Sequence, residues 1–338
     1  MAIGLLAIYS HTVILHEFSF PFSLKINSFL FFGVHLSSNK TLVKSMELLD
    51  GKLLAKAIKE EIAAEVNLIR AKGGKSPHLA AVLVGEDPAS QVYVRNKVKS
   101  CEEVGFSSTL IKKSADISEA ELLEIVADLN QSEDIDGFIV QLPLPKHINE
   151  ERITLAIDPR KDVDGFHPIN FGRMAQGLPA YLPATPFGIL EMLRRYNIPT
   201  DGKEVVVVGR SNIVGTPMGI LLSRKAYPGN ATVTICHSRT KDLAAHTSKA
   251  DILVVAIGRS DLVTADMVKE GVIVIDVGMN RVEDASAKNG YLLKGDVDFE
   301  GVAPKASYIT PVPGGVGQMT VVSLLLNTLK ANKKEIYE

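Results

Sequence analysis

The stretch Val205-Val-Val-Val-Gly209-Arg-Ser211-Asn-Ile-Val-Gly215 decides the fold of this 338-residue chain. Its four valines predict a buried parallel strand that runs directly into a glycine-bearing turn. A helix-compatible segment at residues 216–226 follows at once. This order is typical of the first βα turn of a dinucleotide-binding fold, in which amides at a helix N-terminus receive a pyrophosphate. Ser211 stands at the second glycine position of the usual pattern, so a tight turn without a ligand is the alternative.

The next predicted strand ends in His237-Ser238-Arg239-Thr240. An NAD-binding unit is expected to carry Asp or Glu near this point, where it holds the ribose 2′-hydroxyl. The first carboxylate here is Asp242, whereas the guanidinium groups of Arg210 and Arg239 and the hydroxyl of Ser238 could bind a 2′-phosphate. A solvated loop is the alternative interpretation. The residues favour NADP as the cofactor.

The composition excludes several classes of partner and site. Lys plus Arg number 37 and Asp plus Glu 39, and the net charge of -2 gives no indication of a nucleic acid as partner. The two cysteines, Cys101 and Cys236, are far apart in the sequence, so neither a disulfide framework nor a cysteine zinc site is predicted. No His, Asp and Glu residues have metal-ligand spacing, and we predict no metal. Because the cysteine usage fits a reducing compartment, we expect a cytoplasmic protein.

Residues 1–45 differ from the rest of the chain. They are rich in Phe and Ser, and no basic residue occurs before Lys25, although a signal peptide opens with basic residues. Arginine, which is abundant in transit peptides, is absent from them. No apolar run reaches the ~18 residues that a membrane span needs, so no membrane partner is predicted. We expect Met46 to be the true start and residues 1–45 to be an extension, with a weak targeting role as the alternative.

Strand and helix patterns alternate after residue 45, which predicts an α/β fold with two lobes, mostly parallel sheets and a cleft between the lobes. We place a first lobe at residues 46–185, completed by a C-terminal helix within residues 314–338. A Rossmann-type dinucleotide-binding lobe is predicted at residues 186–313. Ser118 and Glu121 predict a capping box at a helix start. Strands are predicted at residues 79–84, 107–112, 136–141, 204–208, 231–236, 251–257 and 272–277.

Residues suited to chemistry follow these elements at four places. Tyr93 and Lys97 are four residues apart on a predicted helix and project from one face, although most such pairs are ordinary surface pairs. Gln141 ends a buried-type strand, where ligands bind in open α/β sheets. Asp164 lies in a glycine turn. The loop Pro311-Val-Pro-Gly-Gly-Val-Gly317 is first rigid and then flexible, which suits close backbone approach to a flat ligand.

With these motifs in place, the chain from Met46 onward resembles the family of bifunctional methylenetetrahydrofolate dehydrogenase/methenyltetrahydrofolate cyclohydrolases. The motifs are specific because five segments match in the right order over most of the chain. In the family the final loop commonly continues with proline where this chain has Gln318. Gln restores an amide donor there, so substrate affinity is the property that this departure puts in question. The five segments are residues 90–97, 140–145, 161–168, 209–217 and 311–317.

The resemblance implies oxidation of 5,10-methylenetetrahydrofolate with NADP, and then hydrolysis of the methenyl product to 10-formyltetrahydrofolate. It implies that Lys97 is the catalytic lysine and moves protons in the hydrolysis, that Tyr93 is its partner on the helix, and that Gln141 positions it. Asp164 would hold the pterin, with Tyr93 and Gln141 also at the substrate. Further substrate contacts are implied for Pro313, Gly314 and Gly317, and cofactor contacts for Gly209, Arg210, Ser211, Ser238 and Met279.

The same resemblance implies tetrahydrofolate derivatives as ligands and assembly as a homodimer. Three alternatives stay open. Another two-lobed NADP-dependent dehydrogenase, such as a shikimate-dehydrogenase-like enzyme, would have no reason to combine Tyr93, Lys97, Gln141 and Asp164. A dinucleotide sensor without enzymatic activity would keep the glycine turn and would not need Lys97. A monofunctional dehydrogenase would keep these residues and lack the hydrolytic step.

Overall fold

The structure, a computed structural model, describes residues 46–287 and 290–337. The extension predicted at residues 1–45 lies outside the described residues. In the part of the chain that is described, no helix is long and apolar enough to cross a membrane.

The first lobe is built on three parallel strands in the order β3–β2–β4, with helices on both sides. Alternate residues of the central strand, among them Ala80 and Val82, pack with Phe138 and Val140 in a core that also takes in the third helix. That helix begins with the predicted capping box, since Ser118 and Glu121 each accept a hydrogen bond from the other residue's backbone. The elements are β1 (Glu47–Leu48), α1 (Gly51–Ala71), β2 (His78–Val84), α2 (Pro88–Val104), β3 (Ser107–Lys113), α3 (Glu119–Gln131), β4 (Gly137–Val140), α4 (Glu150–Ala156), α5 (Pro168–Ala175) and α6 (Ala184–Arg195).

The second lobe contains a parallel sheet in the order β1–β11–β8–β7–β5–β6. The four valines at residues 205–208 are buried in β5, which lies between β7 and the edge strand β6, as expected for a strand that helices cover on both faces. A separate antiparallel hairpin, β9–β10, follows β8. The elements are β5 (Glu204–Val208), α7 (Gly215–Ser223), β6 (Thr232–Cys236), α8 (Leu243–Thr247), β7 (Ile252–Val255), β8 (Val272–Asp276), β9 (Asn280–Glu283), β10 (Tyr291–Lys294), α9 (Phe299–Val302), β11 (Ala306–Ile309) and α10 (Val316–Asn332).

The two lobes exchange their chain ends. Leu48 of β1 pairs with Ile309 of β11, so the start of the described chain forms the edge of the second sheet. Helix α10 returns to the first lobe and packs against α1 and α6. One hydrophobic core therefore contains residues of both lobes, including Ile62, Leu190, Val207 and Leu325.

The predicted α/β class with two lobes and a Rossmann-type second lobe is confirmed. Helix α7 ends earlier than residue 226, because Arg224 has extended backbone angles and the chain then turns through Gly229. The hairpin β9–β10 and strand β11 were not predicted. Both lie in sequence that mixes charged and apolar residues without the alternation of apolar and polar residues that is typical of a strand.

Candidate active site between the two lobes

Lys97 lies beside the carboxyl end of the sheet of the first lobe, where its amine binds Gln141. It lies on α2, which starts at Asp87, whose carboxylate accepts a hydrogen bond from Ser90 N at 2.7 Å. The Lys97 side chain is buried, with 7% exposure, and its Nζ donates to Gln141 Oε1 at 3.2 Å. Gln141 follows β4, and its Nε2 donates to Leu142 O at 2.7 Å. That second bond orients the amide, so its oxygen faces the lysine amine.

Asp164 reaches the same place from the glycine turn before α5. The turn is held by Asp162, whose carboxylate accepts hydrogen bonds from Phe166 N at 3.2 Å and His167 N at 2.8 Å. Burial raises the pKa of Asp164 above its usual range, and the positive charge of Lys97 partly lowers it. Burial also raises the pKa of Asp162, to about 7. The two acids of this turn therefore have different roles. Asp162 binds backbone N–H groups and holds the turn, whereas Asp164 lines the cavity.

The predicted catalytic residues line one cavity of about 230 Å³ between the lobes. Tyr93 lies at its mouth, where its hydroxyl is 3.7 Å from Met279 Sδ. Burial raises the pKa of the Tyr93 phenol, so this group stays protonated around neutral pH. The predicted residues that line the cavity are Tyr93, Lys97, Gln141, Asp164, Met279 and Gly317.

A larger cavity of about 660 Å³ adjoins the first and shares Tyr93, Met279 and Gly317 with it. Pro313 lines this larger cavity. Gly314 lines neither cavity in the structure, because its carbonyl turns towards α1 and accepts a hydrogen bond from Lys52 N at 3.0 Å. The final loop therefore contributes Pro313 and Gly317 to the walls, while Gly314 fastens the loop to the first lobe.

The glycine turn of the second lobe has the geometry of a dinucleotide cradle. Gly209 has a φ of 131°, which favours glycine, and a Cβ there would overlap the carbonyl oxygen of Ala256. Its N–H donates to Cys236 O at 2.8 Å, so the ends of β5 and β6 lie side by side. Arg210 and Ser238 follow these two ends, and both are exposed.

Ser211 has a local role in the same turn. Its hydroxyl accepts a hydrogen bond from Val214 N at 3.1 Å, and its carbonyl accepts one from Thr216 N at 3.0 Å. The residue that replaces the second glycine of the usual pattern thus holds the turn that leads into α7, whose N-cap is Val214. Ile213, at the tip of the turn, lines the cavity that contains Lys97. The dinucleotide turn and the catalytic residues therefore face one space.

Comparison with known proteins places this geometry in a family. A model described as the tetrahydrofolate dehydrogenase/cyclohydrolase catalytic domain matches residues 49–164, and its NAD(P)-binding domain matches residues 183–336. The chain is similar to the bifunctional protein FolD of Phocaeicola vulgatus, with 62% identity over 293 residues that cover 87% of this chain and 100% of that protein.

Two solved structures are similar throughout the two lobes. The bifunctional FolD methylenetetrahydrofolate dehydrogenase/cyclohydrolase of Campylobacter jejuni has 48% identity and a TM-score of 0.81, with 86% of this chain and 100% of that chain covered. The Trypanosoma brucei methylenetetrahydrofolate dehydrogenase-cyclohydrolase, solved with NADP cofactor and an inhibitor, has 38% identity and a TM-score of 0.82. That likeness covers 87% of this chain and 99% of the other.

The chain belongs to the tetrahydrofolate dehydrogenase/cyclohydrolase family. The resemblance stated from the five sequence segments is confirmed, and with it the bifunctional dehydrogenase/cyclohydrolase activity and the NAD(P)-binding second lobe. Among the described residues, no group of three or more His, Cys, Asp and Glu is placed to hold a metal ion.

Sequence reasoning missed some residues of this tetrahydrofolate dehydrogenase/cyclohydrolase site. The hydroxyls of Thr185 and Thr320 lie 3.0 Å apart in the wall of the cavity, on α6 and α10. Each follows a proline- or glycine-rich stretch at a helix start, which is the only signal that the sequence offers. Asp276 and Asp296, both buried, fasten the backbone around the site. Asp276 lies at the end of the strand predicted at residues 272–277, which is the signal that could have identified it, whereas the sequence context of Asp296 offers none.

Proposed function

We propose that this chain oxidises 5,10-methylenetetrahydrofolate with NADP and then hydrolyses the methenyl product to 10-formyltetrahydrofolate in the same cavity. The observation that carries the proposal is the arrangement of Lys97, Gln141 and Asp164 around one space that the dinucleotide turn also faces through Ile213. A single site can then serve both reactions, because the methenyl carbon need not move between them.

The substrate is held by three kinds of contact. Asp164 offers a carboxylate to the N–H groups of the pterin, and a negative charge at this position suits a ring edge that carries several donors. The ring of Tyr93 forms one wall and the backbone of the loop at Pro313 and Gly317 another. Both walls suit a flat ligand, because one is aromatic and the other lacks long side chains.

The second lobe fits NADP. Only glycine fits the turn at Gly209, because the Ala256 carbonyl takes the place of a Cβ, and the exposed Arg210 and Ser238 follow the ends of β5 and β6, where we expect the 2′-phosphate to bind. Ser211 holds the conformation of the glycine turn through its hydrogen bond with Val214 N. Met279, which belongs to the same lobe as this turn, contacts the Tyr93 hydroxyl of the other lobe. When bound, NADP would supply the acceptor for the hydride of the methylene carbon. The chain's own contribution to this step is orientation, since the two substrate nitrogens stabilise the cation that is left.

The hydrolysis depends on proton movement. Water adds to the methenyl carbon and loses one proton, and the bond from that carbon to one ring nitrogen breaks as the nitrogen gains a proton. The remaining hydroxyl proton leaves as the formyl carbonyl forms, so one proton is released overall. Lys97 carries the one amine that the structure places in the cavity among the described residues, and Gln141 holds it without adding charge. We therefore assign proton transfer to Lys97 and its positioning to Gln141.

We also propose the division of labour between lobes that the sequence predicted. Residues 46–185 with the helix in 314–338 would form the folate-binding lobe, and residues 186–313 the NADP-binding lobe. The contacts of α10 with α1 and α2, and with strands β2 and β4, support the first assignment. A homodimeric assembly and a cytoplasmic location remain predictions, the first from the family resemblance and the second from the cysteine usage.

The test is a spectrophotometric assay of the full chain with 5,10-methylenetetrahydrofolate and NADP, in which NADPH and the methenyl intermediate are followed separately. We expect NADPH to form while the methenyl compound stays low, because the same site hydrolyses it. Methenyl accumulation at the rate of NADPH formation would indicate a monofunctional dehydrogenase. Absence of NADPH formation with this substrate would refute the proposal.

A further inference from the structure

Two buried carboxylates, Asp276 and Asp296, lie behind the site at the carboxyl end of the second sheet. Their exposed fractions are 3% and 0%, and neither lines the cavity with Lys97. Buried charges are costly unless hydrogen bonds compensate them. The two residues lie close together, since Asp296 N donates to Asp276 Oδ1 at 2.9 Å, and burial raises the pKa of Asp276 to about 6. Neither step of the reaction uses these two carboxylates, so their burial must serve another purpose.

Asp296 accepts hydrogen bonds from the loop that follows β7. Its Oδ2 receives Ile257 N at 2.7 Å and Gly258 N at 3.0 Å, and its Oδ1 receives Arg259 N at 2.8 Å. The amide of Asn280 adds a fourth donor to Oδ1 at 2.9 Å. Three consecutive backbone N–H groups thus converge on one carboxylate, which fixes the conformation of the loop.

This loop packs against the dinucleotide turn. Its first residue, Ala256, places its carbonyl where a Cβ of Gly209 would be, and Ala256 N donates to Val208 O at 2.8 Å. A shift of the loop would therefore displace the turn at Gly209, where we expect the pyrophosphate to bind. Asp296 acts on this place from behind, without facing the ligand.

Asp276 holds the neighbouring wall. Its Oδ1 accepts Gly278 N at 2.8 Å and Asp296 N at 2.9 Å, and its Oδ2 accepts Val297 N at 2.9 Å. Gly278 stands between Val277 and Met279, which both line the cavity with Lys97. A Cβ at Gly278 would overlap the Asp296 side chain, so the backbone lies directly on the carboxylate pair.

We propose that Asp296 is a positioning residue for the dinucleotide and Asp276 a positioning residue for the wall shared by both reactions. The inference rests on the proposed function, because it assigns the two loops to the cofactor and folate sides of that site. It predicts different kinetic effects for two adjacent acids. Loss of the Asp296 contacts should affect the cofactor alone, whereas loss of the Asp276 contacts should affect both reactions.

The test compares Asp296→Asn and Asp276→Asn in the full chain. Asn keeps the shape of the side chain but turns an N–H₂ group against backbone N–H donors, so one side of the acceptor is lost. For Asp296→Asn we expect the KM for NADP to rise about ten- to a hundredfold, as follows from the loss of hydrogen bonds to a charged group. The cyclohydrolase rate on methenyltetrahydrofolate, which needs no dinucleotide, should stay within about twofold of wild type. Asp276→Asn should lower both rates.

Asp298→Asn is the matched control. Asp298 lies two residues along the chain from Asp296, and its carboxylate caps α9 by accepting Gly301 N at 3.3 Å. We expect a small loss of stability and an unchanged KM for NADP. Should Asp296→Asn fail to fold, Asn280→Ala decides the matter, because it removes one of the four donors without introducing repulsion and should raise the KM for NADP in a smaller measure.

Two results would overturn the inference. One is a folded Asp296→Asn protein, or Asn280→Ala protein, with an unchanged KM for NADP. The other is an equal fall of dehydrogenase and cyclohydrolase rates in Asp296→Asn, as general destabilisation would produce. Direct titration of NADP binding by each variant separates this failure from failure of the proposed function, because binding is measured without turnover of any folate.

Discussion

Replacing Lys97 with Met removes the one group to which proton transfer is assigned and leaves most of its packing in place. The Lys97 side chain is 7% exposed, and its polar contact in the structure is the 3.2 Å hydrogen bond to Gln141 Oε1. Met has nearly the same length, so the buried stem keeps its neighbours. Loss of one hydrogen bond to a charged group costs about 1.5–3 kcal/mol, and relief from burying a charge offsets part of it. We therefore expect the variant to fold.

The catalytic loss should be much larger than the loss of stability. General acid–base help is typically worth ~10²–10⁴ in rate, which corresponds to about 2.7–5.4 kcal/mol of barrier. The cyclohydrolase rate should fall by that factor, while the dehydrogenase rate should persist in part, because hydride transfer depends mainly on placement of the substrate. Methenyltetrahydrofolate should then accumulate during oxidation of the methylene compound.

The acid side of the pH profile should also move in the Lys97→Met variant. The positive charge of Lys97 lowers the pKa of Asp164, which burial raises. Without that charge the pKa of Asp164 rises further, so the carboxylate protonates at a higher pH. We expect the KM for folate in the dehydrogenase reaction to begin its rise, as pH falls, at a higher pH in the variant than in the wild type.

The assay follows NADPH and the methenyl compound separately across a pH series, with Lys113→Met as the control. Lys113 is an exposed lysine at the end of β3 that lines neither cavity of the site, so both rates should match wild type. A Lys97→Met protein that hydrolyses the methenyl compound as fast as wild type would refute the assigned mechanism, even though the family assignment would stand.

Three further predictions follow from the site. Arg210→Ala should raise the Kd for NADP about tenfold or more, and leave that for NAD nearly unchanged, because it removes a charge-assisted contact to the 2′-phosphate; equal affinities of the wild type for both dinucleotides in a binding titration would contradict this. Asp164→Ala should raise the KM for folate in both reactions together, and a selective loss of one reaction in steady-state kinetics would count against its role in holding the pterin. Asp162→Asn should lower the free energy of unfolding by about 1–3 kcal/mol in a denaturant titration, since one acceptor of the turn becomes a donor; unchanged stability would show that this turn does not depend on the carboxylate.

Much of the fold follows from local sequence patterns. The strand at residues 204–208 has the predicted bounds, because a run of four β-branched apolar residues favours a strand in the interior of a parallel sheet. The capping box of Ser118 and Glu121 and the common face of Tyr93 and Lys97 depend on residues three or four apart, which a helix brings together whatever else the chain does. These features could be predicted because each depends on a few neighbouring residues.

Other features depend on contacts between distant residues, and these could not be predicted. Strand β1 has two residues and exists only because Leu48 finds Ile309 at an open sheet edge. The hairpin β9–β10 is stabilised by pairing between its strands and by the stacking of Arg281 on Tyr291 at 3.9 Å, and neither strand has a clear alternating pattern. Asp296 looks like any other acid until the fold brings three backbone N–H donors and the side-chain amide of Asn280 to its carboxylate.

The candidate site combines both kinds of feature. The identity of its reactive residues could therefore be predicted from the sequence, whereas the distances between them could not. Lys97, Gln141 and Asp164 stand at a helix face, a strand end and a turn, which are positions that a sequence reveals. Their distances are set by elements far away in the chain: the turn of Asp164 by Asp162 and Asn170, and the opposing wall at Met279 by Asp276. A protein with the same motifs and without these buried carboxylates would therefore present the same reactive groups at poorly fixed distances. Since an error of about 1 Å in placement can cost about a hundredfold in rate, such a protein could belong to the family and catalyse neither reaction well.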